Sequence, residues 1–258
     1  MSSDVSATGL SRVTALVVRA GLALTVLGSL ALLLSGIGSR WDWWNYRTGF
    51  VIFRATLYGG LGVIVVVLAG LVLALLARTG RSILLALATL ALLAGVAAVP
   101  VGHLRAAGRV PPIHDITTDL DDPPRFVAVL SLRRDAPNSA EYAGPALAAQ
   151  QRAGYPDLGP ARFVPPPATV LARATEVAHG LGWQIVATDA GEGRLEATDR
   201  TRWFGFRDDV VVRVRPEGTG SRVDVRSVSR VGRSDLGTNA RRIRAFVDAL
   251  RASFGETR

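Results

Sequence analysis

The sequence predicts two regions of different class. The first is a membrane α region of three transmembrane helices. The second is an α+β soluble domain, a four-stranded antiparallel sheet with helices packed on one face. Three observations carry this expectation. Three charge-free apolar runs of about 20 residues lie at the start of the chain, the length that crosses a bilayer core. Between positions 183 and 230 apolar and polar residues alternate with the two-residue period of strands. The last stretch spaces its apolar residues three and four apart, as a helix does. The regions divide as 1–103 for the membrane part, 104–125 for a Pro- and Asp-rich linker and arm, and 126–258 for the soluble domain.

The apolar runs are "AGLALTVLGSLALLLSGIG" at 20–38, "ATLYGGLGVIVVVLAGLVLALLA" at 55–77 and "SILLALATLALLAGVAAVPVG" at 82–102. Arg19, Arg40, Arg54, Arg78 and Arg81 stand at their edges, where long side chains reach the interface. The first run is longer than a signal-peptide core and lacks a clean small-x-small cleavage site, so it reads as a retained helix. The loop "SRWDWWNYRTGF" at 39–50 has the composition of an interfacial aromatic belt. The short "RTGR" connection at 78–81 predicts that the second and third helices form a tight antiparallel pair. Gly59, Gly60, Gly62 and Gly70 are the expected points of close approach. No acid, histidine or asparagine interrupts the runs, so the region reads as an anchor in a lipid bilayer rather than a transport path. Arg12, Arg19, Arg78 and Arg81 balance Arg40, Arg47, Arg54, Arg105 and Arg109 on the opposite side, so loop charge does not choose an orientation.

Composition narrows the chemistry. Of the 258 residues 49% are hydrophobic, and there is no cysteine, which excludes disulfides and thiolate metal sites. All 30 basic residues are arginine. Without lysine there is no lysine nucleophile and no Walker-type phosphate loop, and no motif calls for a cofactor. Residues 104–258 carry 23 arginines against 19 acidic residues, a balance that argues against nucleic acid as a partner.

Within the soluble part, "GRVPPIHDITTDLDDPPRF" at 108–126 is irregular. His114 and Asp115 stand near Asp119, Asp121 and Asp122, but the spacing fits no calcium loop or zinc motif. Turn capping by Thr118 or Asp119 is the better account. Helices are expected over 139–153, 167–182 and 236–254, and strands over 183–189, 193–203, 208–216 and 221–230. Leu195, Ala197, Trp203, Val210, Val212, Val214, Val223 and Val225 form the apolar face of the sheet. Val170, Leu171, Ala174, Val177, Ala178 and Leu181 face it from one helix. Leu236, Ala240, Ile243, Phe246, Val247 and Leu250 face it from the last. The opposite sheet face carries arginines and a few acids.

The stretch "RSVSRVGRSDLGTNARRIRAF", 226–246, passes from the last strand to the last helix and concentrates the candidate site. Ser234 or Asp235 can cap the helix, whose N-terminus favours an anion. Arg230, Arg233, Arg241 and Arg242 surround it and could hold a carboxylate, a phosphate or a lipid headgroup. Asp208, Asp209 and Asp235 could instead take those arginines in an internally paired network, the arrangement the charges favour. The chain has histidines at 103, 114 and 179 and no Gly-x-Ser-x-Gly elbow. His114, Asp115 and the Ser234–Asp235 turn would be the most economical members of a hydrolytic site.

"PPIHDITTDLDDPPRF", "FGFRDDVVVRV" and "SRVDVRSVSRVGRSDLGTNARRIRAF" together resemble bacterial proteins carrying the domain of unknown function numbered fourteen ninety-nine, over roughly residues 110–254. The resemblance implies an exported or membrane-tethered domain, and hence a multi-pass protein of the bacterial inner membrane with its soluble domain in the periplasm. It carries over no catalytic residue. The function expected is a membrane-anchored envelope protein whose soluble domain binds a protein partner or an anionic small molecule. The alternative is an envelope hydrolase with a site near His114.

Overall fold

The computed structural model describes residues 2–255, with side chains described for all of these except 2–8, 103, 104 and 106. The chain forms two compact units, 1–104 with 202–205, and 105–201 with 206–258.

The first unit contains α1 (Ser2–Arg40), α2 (Tyr46–Leu76) and α3 (Gly80–Ala107). All three helices are long and apolar enough to cross a membrane. Asn45 caps α2 by accepting the Thr48 amide. The close approach is between α1 and α2, where Gly70 lies against Val18 and Gly21 against Val67. The expected tight α2–α3 pair is not found; Val18 of α1, Val67 of α2 and Ala86 of α3 share one buried apolar cluster. A side chain at Gly59, Gly60 or Gly62 would touch nothing, so of the four glycines only Gly70 serves helix packing. Gly36 and Gly38 explain the end of α1. Their bare backbone lets the Trp203 and Trp44 rings come close to the helix, at positions where a methyl group would overlap the rings. Trp203 Nε1 donates to the Leu33 carbonyl at 3.1 Å and Trp44 Nε1 to the Ser35 carbonyl at 3.1 Å. Phe204 stacks on Phe50 at 4.9 Å. Trp203 thus leaves the sheet on which its alternation placed it.

The second unit is an antiparallel sheet of six strands, not four. β1 (Asp115–Thr117), β2 (Ala161–Phe163), β3 (Gln184–Asp189), β4 (Arg194–Arg200), β5 (Arg207–Glu217) and β6 (Gly220–Ser229) run in the order β1-β6-β5-β4-β3. β2 pairs with the other end of the same β6 edge that holds β1. The two added strands have three residues each, too short to display alternation. α4 (Pro145–Gly154) begins at Pro145, which suits a first helical turn because proline lacks the amide that would go unpaired. α5 (Pro167–Gly180) and α6 (Thr238–Ser253) cover one sheet face. Between them and the sheet lies the main core of Val170, Leu171, Leu195, Val210, Val212, Val225, Ile243 and Leu250, with Trp183 stacked on Phe246 at 5.0 Å.

The opposite face is also covered. The arm after β1 and a 3₁₀ segment, Ala128–Arg133, bury Phe126 and Val129 against Val211 and Val228. The arm's Asp119 caps its own turn, accepting the Asp121 and Asp122 amides at 3.2 and 3.0 Å. Gln151 of α4, almost fully buried, accepts the Thr117 amide at 3.0 Å and donates to the Thr117 carbonyl at 2.5 Å. Its amide group thereby does for β1 what a further strand would do. Gln151→Leu keeps the volume and removes both bonds. Each buried group left unpaired costs about 1–3 kcal/mol. We expect a lower melting temperature and faster hydrogen exchange at Thr117; unchanged exchange there would refute the role.

Candidate functional site

The strand-to-helix stretch 226–246 is built around two neighbouring carboxylates on β5. Successive residues of a strand point to opposite faces. Asp208 therefore faces α6 and Asp209 faces the 3₁₀ segment, both buried.

On the helix side, Arg242 bridges Asp208 and Asp199, each at 2.7 Å. Its remaining donors reach Ser227 Oγ at 3.1 Å and Asn239 Oδ1. Asn239 in turn donates to the His114 carbonyl at 2.9 Å and Ser229 Oγ at 3.0 Å. Burial pushes the Asp208 carboxyl above its ordinary range, against the opposing pull of Arg242.

On the other side, Asp209 accepts two bonds from Arg230 at 2.8 and 2.9 Å, one from Arg133 at 2.5 Å and one from Thr198 Oγ1 at 2.6 Å. Burial works to raise this carboxyl. The bonds from Arg230 and Thr198, the charge of Arg230 and the bond from Arg133 outweigh it and hold Asp209 below its ordinary value. The neighbours thus shift in opposite directions, because Asp209 faces two guanidiniums and Asp208 shares one.

Asp115 lies on this second face too, in a bidentate pair with Arg226 at 2.8 and 2.9 Å. The buried guanidinium also donates to the Pro124 and Ala140 carbonyls, and it sits between the Phe126 and Tyr142 rings. Burial, and then the charge of Asp115, push the Tyr142 hydroxyl up to about 12. Further along the face, Arg213, Arg215 and Arg222 converge on Asp119 and Asp224.

The turn itself is ordered by Asp235. Its carboxylate accepts the Gly237 amide at 2.8 Å and the Asn239 amide at 2.6 Å. Burial raises it above the ordinary range against those two bonds. Ser234 Oγ accepts the Leu236 amide at 3.3 Å. The geometric cap of α6 is Gly237, since Leu236 and Gly237 both adopt left-handed backbone conformations, with φ of 54° and 76°. The cap expected of Ser234 or Asp235 is therefore supplied by Asp235 from two residues upstream.

The candidate residues thus fall into three places. Arg242 and Asp208 are on the helix face, and Arg230, Asp209 and Asp115 are on the other. Arg233, Arg241, His114, Ser234 and Asp235 stay at the turn. Arg233 is exposed, with no ion-pair partner among the described residues. Exposed Arg241 donates to the Leu236 carbonyl and Thr238 Oγ1. His114 Nδ1 lies 3.5 Å from the Arg233 carbonyl, while the neighbouring Asp115 carboxylate is held by Arg226. His103 lies outside the described side chains. Among the described residues no group of three or more histidines and carboxylates is placed to hold a metal. Arg133, Asp199, Asn239, Phe126 and Tyr142 were not foreseen, because nothing local in the sequence marks a partner so far away.

A family model described as a protein of unknown function, DUF1499, matches residues 115–250, more than half of the chain. The chain belongs to that family. No curated protein matches it. The DUF1499 match runs from the first residue of β1 to Leu250, the last core residue of α6, and so contains every ion pair of the 226–246 stretch.

The DUF1499 domain yields a pH prediction at Asp209. Its carboxyl is held below its ordinary 3.8, so its stabilisation is present above that pH and is lost as pH falls through 3.8 toward the folded-state value. Breaking a buried pair costs about 3–5 kcal/mol. Asp209→Asn is expected to lose about that much in denaturant unfolding at neutral pH, with the gap to wild type closing below 3.8. A gap that stays constant into acid would show that charge at Asp209 is not the source.

Proposed function

We propose that this is a membrane-anchored protein of the bacterial cell envelope whose soluble domain, on the periplasmic side, binds an anionic group at the 233–241 turn. The group is a carboxylate or phosphate, carried by a small molecule or by a partner protein. The carrying observation is that the turn keeps donors the fold leaves without an anionic partner. Arg233 and Arg241 are exposed with no carboxylate paired to either among the described residues, whereas Arg230 and Arg242 are held by Asp209, Asp208 and Asp199. The Tyr155 hydroxyl, buried and without a hydrogen-bond partner among the described residues, packs against the same turn beside Gly237. Burial and the charge of Asp235 raise its pKa, so it remains a donor at neutral pH. Three helices long and apolar enough to span a membrane supply the anchor.

The test is thermal unfolding of the full chain in detergent, with added inorganic phosphate or citrate and Trp183 among the reporting fluorophores. A ligand that binds only the folded state raises the melting temperature as it saturates. Wild type is expected to shift upward. Arg233→Ala/Arg241→Ala should shift by much less relative to its own ligand-free value. Equal shifts in both proteins, or no shift in wild type with either anion, would overturn the assignment.

A further inference from the structure

The 3₁₀ segment is held unusually firmly for so short an element. Glu196, fully buried on β4, accepts the amides of Val127, Ala128 and Val129 at 3.0–3.1 Å. Arg133 ties its end to Asp209 and to the Val228 and Asn138 carbonyls. Arg230 donates to the Leu132 carbonyl at 2.8 Å. Beneath it, Phe126 and Val129 fill the second core. Three of the side chains it exposes are apolar: Val127, Leu130 and Leu132 are 53%, 44% and 52% exposed, with exposed Ser131 between the two leucines. The other large apolar side chains exposed in the second unit, Val164 and Leu181, stand apart in sequence and on other elements. Arg125 and Arg134, both exposed and without an ion-pair partner among the described residues, flank the segment, with exposed Asp135 following Arg134, so the border carries one net positive charge.

Apolar side chains bracketed by arginines are the composition of an interfacial membrane contact. The apolar groups enter the headgroup and acyl boundary, and the guanidiniums pair with lipid phosphates. The charge favours an anionic surface. The same chain carries three candidate membrane spans, so tethering would hold any such patch at high effective concentration near lipid. We propose that the Val127–Arg134 segment is a lipid-contacting foot of the soluble unit, seated on an anionic bilayer surface. This surface is separate from the 233–241 turn and does not depend on an anion binding there.

The chain contains no cysteine, which makes single labels possible on the full protein. Leu130→Cys, Leu132→Cys and, as a control, Val164→Cys would each carry an environment-sensitive fluorophore, in nanodiscs containing phosphatidylglycerol. The expected result is a blue-shifted emission at 130 and 132, quenched by nitroxide-labelled headgroups, with an aqueous spectrum at 164. The shift should diminish in phosphatidylcholine nanodiscs and in an Arg125→Glu/Arg134→Glu background. Spectra at 130 and 132 as aqueous as at 164 would overturn the proposal. So would labels that stay aqueous in nanodiscs and become protected only when a protein extract of native membranes is added, an outcome assigning the patch to a protein partner.

Discussion

Two carboxylates adjacent on a strand cannot face the same way, and the soluble unit is organised by that constraint. Asp208 and Asp209 leave β5 on opposite sides, so each demands a guanidinium from whatever covers its own face. Arg242 answers from α6, while Arg230 answers from just past the end of β6 and Arg133 from the 3₁₀ segment. Both coverings are thereby fixed in register against a single pair of residues. Buried ion pairs of this kind contribute little net stability over apolar packing, because desolvation offsets most of the attraction. Their effect here is positional: a covering segment displaced by one residue would leave a carboxylate buried alone.

Much of this was legible in the sequence, for reasons that are local. Val210, Val212 and Val214 alternate cleanly, and Ala240, Ile243, Phe246 and Leu250 repeat at helical spacing, so the sheet and its helical layer could be read before any coordinates. Asp208, Asp209 and Asp235 were already readable as salt-bridge partners for the arginines of 226–246. What stayed hidden depends on distant partners. β1 and β2 are recognised only by the β6 edge they meet. Gln151 looks like a surface residue of a short helix until its amide is seen against Thr117. The arginine-bearing face reads as solvated because a strand pattern says nothing about whether an irregular arm will fold over it. In the first unit, glycines mark possible approaches but not which helix approaches: Gly70 and Gly21 are used, while Gly59, Gly60 and Gly62 are not.

The same division bears on function. Asp115, Asp208, Asp209, Arg230 and Arg242 are engaged in holding the domain together, and Asp235 orders the turn. The donors at this turn that the network does not reach are Arg233, Arg241 and the Tyr155 hydroxyl, and the anion site proposed above rests on them. Replacing Arg233 or Arg241 alters the turn's charge without touching a buried pair, whereas replacing a network residue destabilises the support beneath it.

The exclusive use of arginine suits such a scaffold. Arg226 satisfies both oxygens of Asp115 and two backbone carbonyls from one planar group, and it lies over the Phe126 and Tyr142 rings, 5.3 and 5.4 Å from their centroids. An ammonium offers three donors from a point, cannot form the bidentate pair in that plane, and loses its proton readily when buried. As a side-chain type a guanidinium stays charged across the range in which carboxylates titrate. Acid acts on this network through Asp209, whose carboxyl is held low by Arg230, Thr198 and Arg133 and is protonated at the expense of those bonds.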